Sequence, residues 1–159
     1  MLTNWNVIQG SVDVVQDGFS GLNCNGNRCL DLDGTSPALG ALILETKDSF
    51  TAGVGDTVWL TFDITDLNSG DFDPFRISFG SVAATVNAVP FQPVTFVIST
   101  ILGAPINAPI RIEVLETPNN FGPIFDNVVL SITTASEPGF MLLGGLTGLA
   151  AVRLARRRG

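Results

Sequence analysis

The sequence predicts an all-β fold, an antiparallel jelly-roll β-sandwich over residues 1–135, followed by a single short C-terminal transmembrane helix at about 139–155. Three observations carry this. Short stretches before Ser136 alternate apolar and polar residues with period two, which marks half-buried strands. Glycine and proline punctuate these stretches roughly every eight to fifteen residues, and no segment there sustains a helical period. Beyond Pro138 an unbroken apolar run, Gly139 to Val152, meets a cluster of arginines.

The strands follow in order. Val7 to Gln9 and Val12 to Val15 open the chain, split by Gly10-Ser11. A loop over Gln16 to Arg28 holds both cysteines, and Cys29 to Leu32 ends at the turn pair Asp33-Gly34. Leu42, Leu44 and Thr46 alternate with Ile43 and Glu45, and Phe50 to Gly55 reads as a turn-rich link. The clearest strand is Thr57 to Thr65: Val58, Leu60, Phe62 and Ile64 share one face, Trp59, Thr61 and Asp63 the other. Phe75 to Phe79, Val82 to Ala88, Val94 to Ile98, Ile110 to Val114 and Val128 to Ile132 complete the set. Strands of this number, length and spacing indicate a sandwich, and a jelly roll fits the chain length best.

The motifs WNVIQGSVDVV, CLDLDGT, DTVWLTFDI, RISFG, VTFVI and IFDNVVLSI, in that order from Trp5 to Ile132, resemble a galactose-binding-like jelly roll. The resemblance implies a sandwich with a capacity for sugar ligands.

The tail reads SEPGFMLLGGLTGLAAVRLARRRG. As a helix the run to Ala155 spans about 25 Å at 1.5 Å per residue, slightly short of the roughly 30 Å hydrocarbon core. Arg153 can snorkel to the interface and let Leu154 and Ala155 extend the run. Arg153, Arg156, Arg157 and Arg158 then flank the membrane on its cytoplasmic side, which places residues before Ser136 outside the cytoplasm. A buried core helix is the alternative, and three consecutive arginines at its end argue against it. The order of parts resembles the PEP-CTERM sorting tail of Gram-negative envelope proteins, with Glu137 and Pro138 in place and Ser136 where that family has its first proline. The resemblance implies an exosortase-like processing enzyme as partner and a cell-envelope location, with release after cutting. Gly144 and Gly148 form a small-xxx-small pair suited to helix association or to tail composition alone. Met1 to Trp5 shows neither a basic nor an apolar leader segment, so export requires either an upstream segment or the tail itself.

Charge separates along the chain. Residues 1–135 hold four basic and fourteen acidic side chains, a net charge of −10. Such a surface is repelled by phosphate backbones, so nucleic acid is not an expected partner. Acidity fits solubility outside the cytoplasm, or a held cation such as structural calcium. The two cysteines, Cys24 and Cys29 in CNGNRC, suit a small disulfide-closed turn in an oxidising compartment. Their spacing is too long for a C-x-x-C redox motif, and a metal site would want more soft ligands.

No enzyme is expected. Histidine is absent, so serine and cysteine triads lack their usual base. Gly53-Val54-Gly55 lacks the rest of either phosphate-binding fingerprint. Carboxylate pairs such as Asp31/Asp33 and Asp71/Asp73 are the only candidates for glycosidase chemistry, and solvated turns explain them as well. The Asp66–Asp73 stretch is rich in oxygen ligands, but its glycine and its twelfth residue, Ile77, do not match an EF-hand. Asp31, Asp33 and Asp126 are the candidate calcium ligands, from strands near both ends of the domain. For a sugar, aromatic platforms come first. Trp59, opposite the core face of its strand, and Phe72 in a loop are the candidates, with Phe121 similarly placed. The expected role is an exported envelope or surface protein associated with extracellular polysaccharide. A membrane-held carbohydrate-binding module is the alternative, and a secreted glycoside hydrolase stands behind both.

Overall fold

The alternation over Thr57–Thr65 forms the strand that the rest of the chain packs around. A computed structural model describes residues 2–19, 22, 24, 28–36, 39–66, 74–88, 93–117 and 122–135. Twelve strands lie among them: β1 (Trp5–Gln9), β2 (Asp13–Gln16), β3 (Arg28–Asp31), β4 (Ile43–Thr46), β5 (Phe50–Ala52), β6 (Thr57–Asp66), β7 (Pro74–Phe79), β8 (Val82–Asn87), β9 (Val94–Ile101), β10 (Ile106–Ala108), β11 (Ile110–Val114) and β12 (Pro123–Thr133). Phe72, Phe121, Asp71, Asp73, the sorting residues Ser136, Glu137 and Pro138, the helix at 139–155 and Arg153, Arg156, Arg157 and Arg158 lie outside the described residues.

Two five-stranded antiparallel sheets face each other, ordered β1-β4-β11-β7-β8 and β2-β3-β12-β6-β9, and β10 pairs β5 as a small third sheet. Long-range pairing therefore builds the sandwich. β6 lies between β12 and β9, and β11 lies between β4 and β7. Side chains alternate across each strand, so each sheet buries one face. On β6 the buried set is Val58, Leu60, Phe62 and Ile64, and from the facing sheet come Leu44, Phe75, Ile77 and Ile112. Each such side chain contributes roughly 1.5–3 kcal/mol by leaving water. Phe62 is the hub: its ring stacks on Phe96 at 5.6 Å and Phe125 at 5.3 Å and meets Phe75 edge-on at 5.9 Å.

Two departures from the sequence reading have physical causes. Phe50–Ala52 is a strand, not a turn-rich link, because it pairs with Ile106–Ala108 over a long sequence distance. Three residues are too few to show alternation. The closing strand begins at Pro123 rather than Val128. Its register slips between Asp126 and Val129, an extra residue that moves the inward set from Phe125 to Val128 and Leu130. Asn127 takes up that bulge with φ of 51°. β7 and β8 are joined at Gly80-Ser81, where Gly80 has φ of 55° and an added Cβ would lie 2.6 Å from the Ile106 side chain, so glycine is required twice over.

The outer face of the first sheet is closed by its own charges. Arg111 bonds Glu45 across the strands and Glu113 along its own, and Arg76 stands 3.9 Å from Glu113.

Candidate functional site

The outer face of the second sheet is built differently. With the even-numbered side chains of β6 committed to the core, Thr57, Trp59, Thr61 and Asp63 must point away from it. Trp59 belongs to neither of the core clusters that β6 joins and is half-buried among its cross-strand neighbours. Those neighbours are Ser131 on β12 and Ser99 on β9. One row further stand Val129 and Val97, about half exposed at 51% and 60%, either side of Thr61. The indole is thus bordered by two small hydroxyl side chains and, one row further, by half-exposed apolar ones.

Asp63 closes the row that comes next, about 13 Å from Trp59 at 3.3 Å per residue. Thr95 Oγ1 donates to Asp63 Oδ1, and Asn127 Nδ2 donates to Asp63 Oδ2 at 2.8 Å. Asp126 pairs with Asp63 across the strands and accepts the Asn127 backbone N–H at 2.8 Å. Burial pushes the Asp126 carboxyl above its usual range, the Asn127 N–H opposes this, and repulsion from Asp63 adds to it. The bulge at Asn127 is what turns this side chain onto Asp63. A shallow hollow beside the pair is lined by Cys29, Thr65, Pro93 and Ile124. This end of the face offers oriented oxygen acceptors and amide and hydroxyl groups on the same face as the aromatic side chain.

The cysteines frame the same end. Cys24 and Cys29 form a disulfide with Cα atoms 5.6 Å apart. With Leu22 and Ile124 they make a small buried cluster on the outside of β3 and β12. Asp17 Oδ1 accepts the Cys24 N–H at 2.6 Å and ties the loop down.

The three acids named as candidate calcium ligands separate. Asp31 and Asp33 are buried at the end of β3, and their third neighbour is Asp13, paired with Asp31 across the strands. Asp126 sits with Asp63 instead. Burial raises the Asp31 carboxyl to about 6, backbone N–H groups of Asp33 and Gly122 oppose this, and Asp13 and Asp33 add repulsion. Among the described residues no three acidic or cysteine side chains converge as a metal-binding group. Asp63, Thr95 and Asn127 were missed from sequence. Their signal was the Asp126-Asn127 pair that interrupts the alternation of the closing strand.

Neither a protein-family model nor a curated protein matches the chain by sequence. Among solved structures the chain is similar to a family 16 carbohydrate binding module, with a TM-score of 0.55 and 13% identity over 80% of this chain and 89% of that one. It is also similar to TmCBM61, solved with beta-1,4-galactotriose (TM-score 0.47, 14% identity, 81% and 88% covered), and to a family 35 carbohydrate binding module from Clostridium thermocellum (0.48, 13%, 84% and 100%). The first likeness shows the fold: an all-β antiparallel sandwich of the kind that module adopts.

Proposed function

We propose that the sandwich binds polysaccharide on the outer face of its second sheet, without cleaving it, and that the tail delivers it to the bacterial envelope. One observation carries the binding reading. Trp59 lies outside the core, bordered by Ser99 and Ser131, with the Asp63–Thr95–Asn127 network on the same face. An aromatic face stacks on the apolar face of one sugar ring, and the acceptors and donors about 13 Å along the face take hydroxyls of a unit further along the polymer. The fold it shares with a carbohydrate binding module supports the same reading. The test is affinity electrophoresis of the protein through gels containing galactan, xylan, β-glucan or an isolated bacterial exopolysaccharide. At least one should retard it, with no shortening of the polymer. Trp59→Ala should weaken that retardation about tenfold, the equivalent of 1.4 kcal/mol, with an unchanged melting curve. Equal retardation of variant and parent, or none in any gel, removes this face as the site.

Delivery rests on the order of tail parts, Ser136-Glu137-Pro138, an apolar run and the arginines. Replacing Glu137 and Pro138 should leave an exosortase-like enzyme without its signal and the chain at full length. Identical product sizes would end the processing reading. Calcium rests on Asp31 and Asp33, the two candidate ligands that stay together, and a cation there would relieve the repulsion that Asp33 exerts on Asp31. Added calcium should then raise the melting temperature above that in chelator, by mass action. Coincident curves would return these acids to a purely structural role.

A further inference from the structure

The segment between Arg76 and Arg111 contains no charged side chain in 34 residues, in a chain otherwise rich in acids. The fold spends it on one side of the molecule. It supplies β8 and β9, the terminal strands of the two main sheets, which lie together along one edge of the sandwich. The opposite edge, β1 and β2, is guarded. Those strands are short, β1 shifts register between Val7 and Gln9, and Asp13 and Lys47 stand nearby. Bulges, short length and charge are the usual devices that stop edge strands from pairing. β9 has none of them. It is eight residues long, Val94 to Ile101, continuously paired to β6, and among the described residues it has no partner on its other side. Val97 is 60% and Ile101 70% exposed on its outer face, and Phe96 and Ile98 are only half-buried where the core stops.

We propose that β9 pairs antiparallel with β9 of a second copy, about a two-fold axis through Val97, joining two five-stranded sheets into one of ten strands. The sequence of the strand is self-complementary in that register. Residues facing each other must share a face, so their numbers sum to an even total. About Val97 the outer face sets Val97 against Val97 and Thr95 against Ser99. The inner face sets Phe96 against Ile98, so each copy completes the other's unfinished core. Polar meets polar and apolar meets apolar over the five central residues, Thr95 to Ser99, and only the outer Val94–Thr100 pairs are mixed. This self-complementarity selects a second copy rather than an arbitrary strand donor as occupant, and the absence of charge on the edge permits it. Two bodies of net −10 repel, and this neutral edge is where they approach at least cost. The register also places Trp59 and Ser99 of one copy in a row with Thr95 and Asp63 of the other. One outer face then spans the pair, with the Trp59 and Asp63 strands about 14 Å apart at the usual strand spacing.

The test uses the full chain in detergent, with association measured by sedimentation and the fold by thermal melting. Val97→Cys should cross-link into a reducible dimer under mild oxidation, because an axial residue faces itself, whereas Thr95→Cys alone should not. Val97→Lys puts two like charges across the axis. It should halve the sedimenting mass and leave the melting of the monomer intact, since Val97 is exposed. A parent protein that is monomeric at all concentrations overturns the proposal. So does association that persists in Val97→Lys, which would place it in the tail or elsewhere. Stronger cross-linking at residue 95 than at 97 overturns the register. A monomer that instead captures an unrelated extended peptide through this edge overturns the choice of occupant.

Discussion

Asp31 shows at the scale of one residue how burial turns a carboxylate into a liability. Its raised value of about 6 has burial as its first cause, with the ordinary value at 3.8. Between about pH 4 and 6 the native protein keeps a proton that the unfolded chain has lost, so stability falls as pH rises through that window. Above it both states are ionised and the cost stays constant, at about 2–3 kcal/mol by 1.36 kcal/mol per unit. Asn is nearly isosteric and can still accept one of the two backbone N–H bonds. In chelator at pH 7, Asp31→Asn should therefore be more stable than the parent by about 2 kcal/mol in urea titration. The gap should close near pH 3.5. A gap that is constant with pH would show that the charge of Asp31 is not what burial opposes.

At the scale of the element, the start of β6 is held by one side chain. Asp56 is buried, and its two oxygens accept the Gly53 N–H at 2.7 Å and the Ala135 N–H at 3.0 Å. The first bond closes the turn between β5 and β6. The second fixes the end of the segment that follows β12, just before Ser136. Hydrogen bonds to an ionised acceptor contribute about 1.5–3 kcal/mol each when one partner is lost. Asp56→Ala should cost about 3 kcal/mol in urea titration, and hydrogen exchange at Ala135 should rise more than at the core of β6. Equal exchange at Ala135 in variant and parent would detach the second bond from this account.

For the whole molecule the question is how an acidic sandwich and a basic, apolar tail serve one purpose. In the proposed function, a binding face gains from being held at a surface, and a tail anchor with the body outside the cytoplasm would hold it there. Leu146→Asp with Leu149→Asp places charge near the centre of the tail run, at about 2.5–3.5 kcal/mol per residue on insertion scales. That variant should leave the membrane fraction and appear as soluble protein. Fractionation identical to the parent would remove the anchor from the account.

Much of this protein was legible from residues alone, for a physical reason. Period-two alternation records which face of each strand is buried, so the core face of β6, the outward set of Trp59 and Asp63, and most strand positions followed from it. The charge division between body and tail, and the charge-free run from Ile77 to Ile110, are also properties of the chain itself. Which strands neighbour one another is not, because pairing partners lie far apart in sequence and alternation carries no address. Only the tertiary structure joined β5 to β10 and lengthened β12 through a bulge whose parity change hid it. It set Asp126 beside Asp63 and away from Asp31 and Asp33, and it brought Ser99 and Ser131 to the sides of Trp59. It also gathered the uncharged strands β8 and β9 at one edge, where a neutral stretch of sequence becomes a surface.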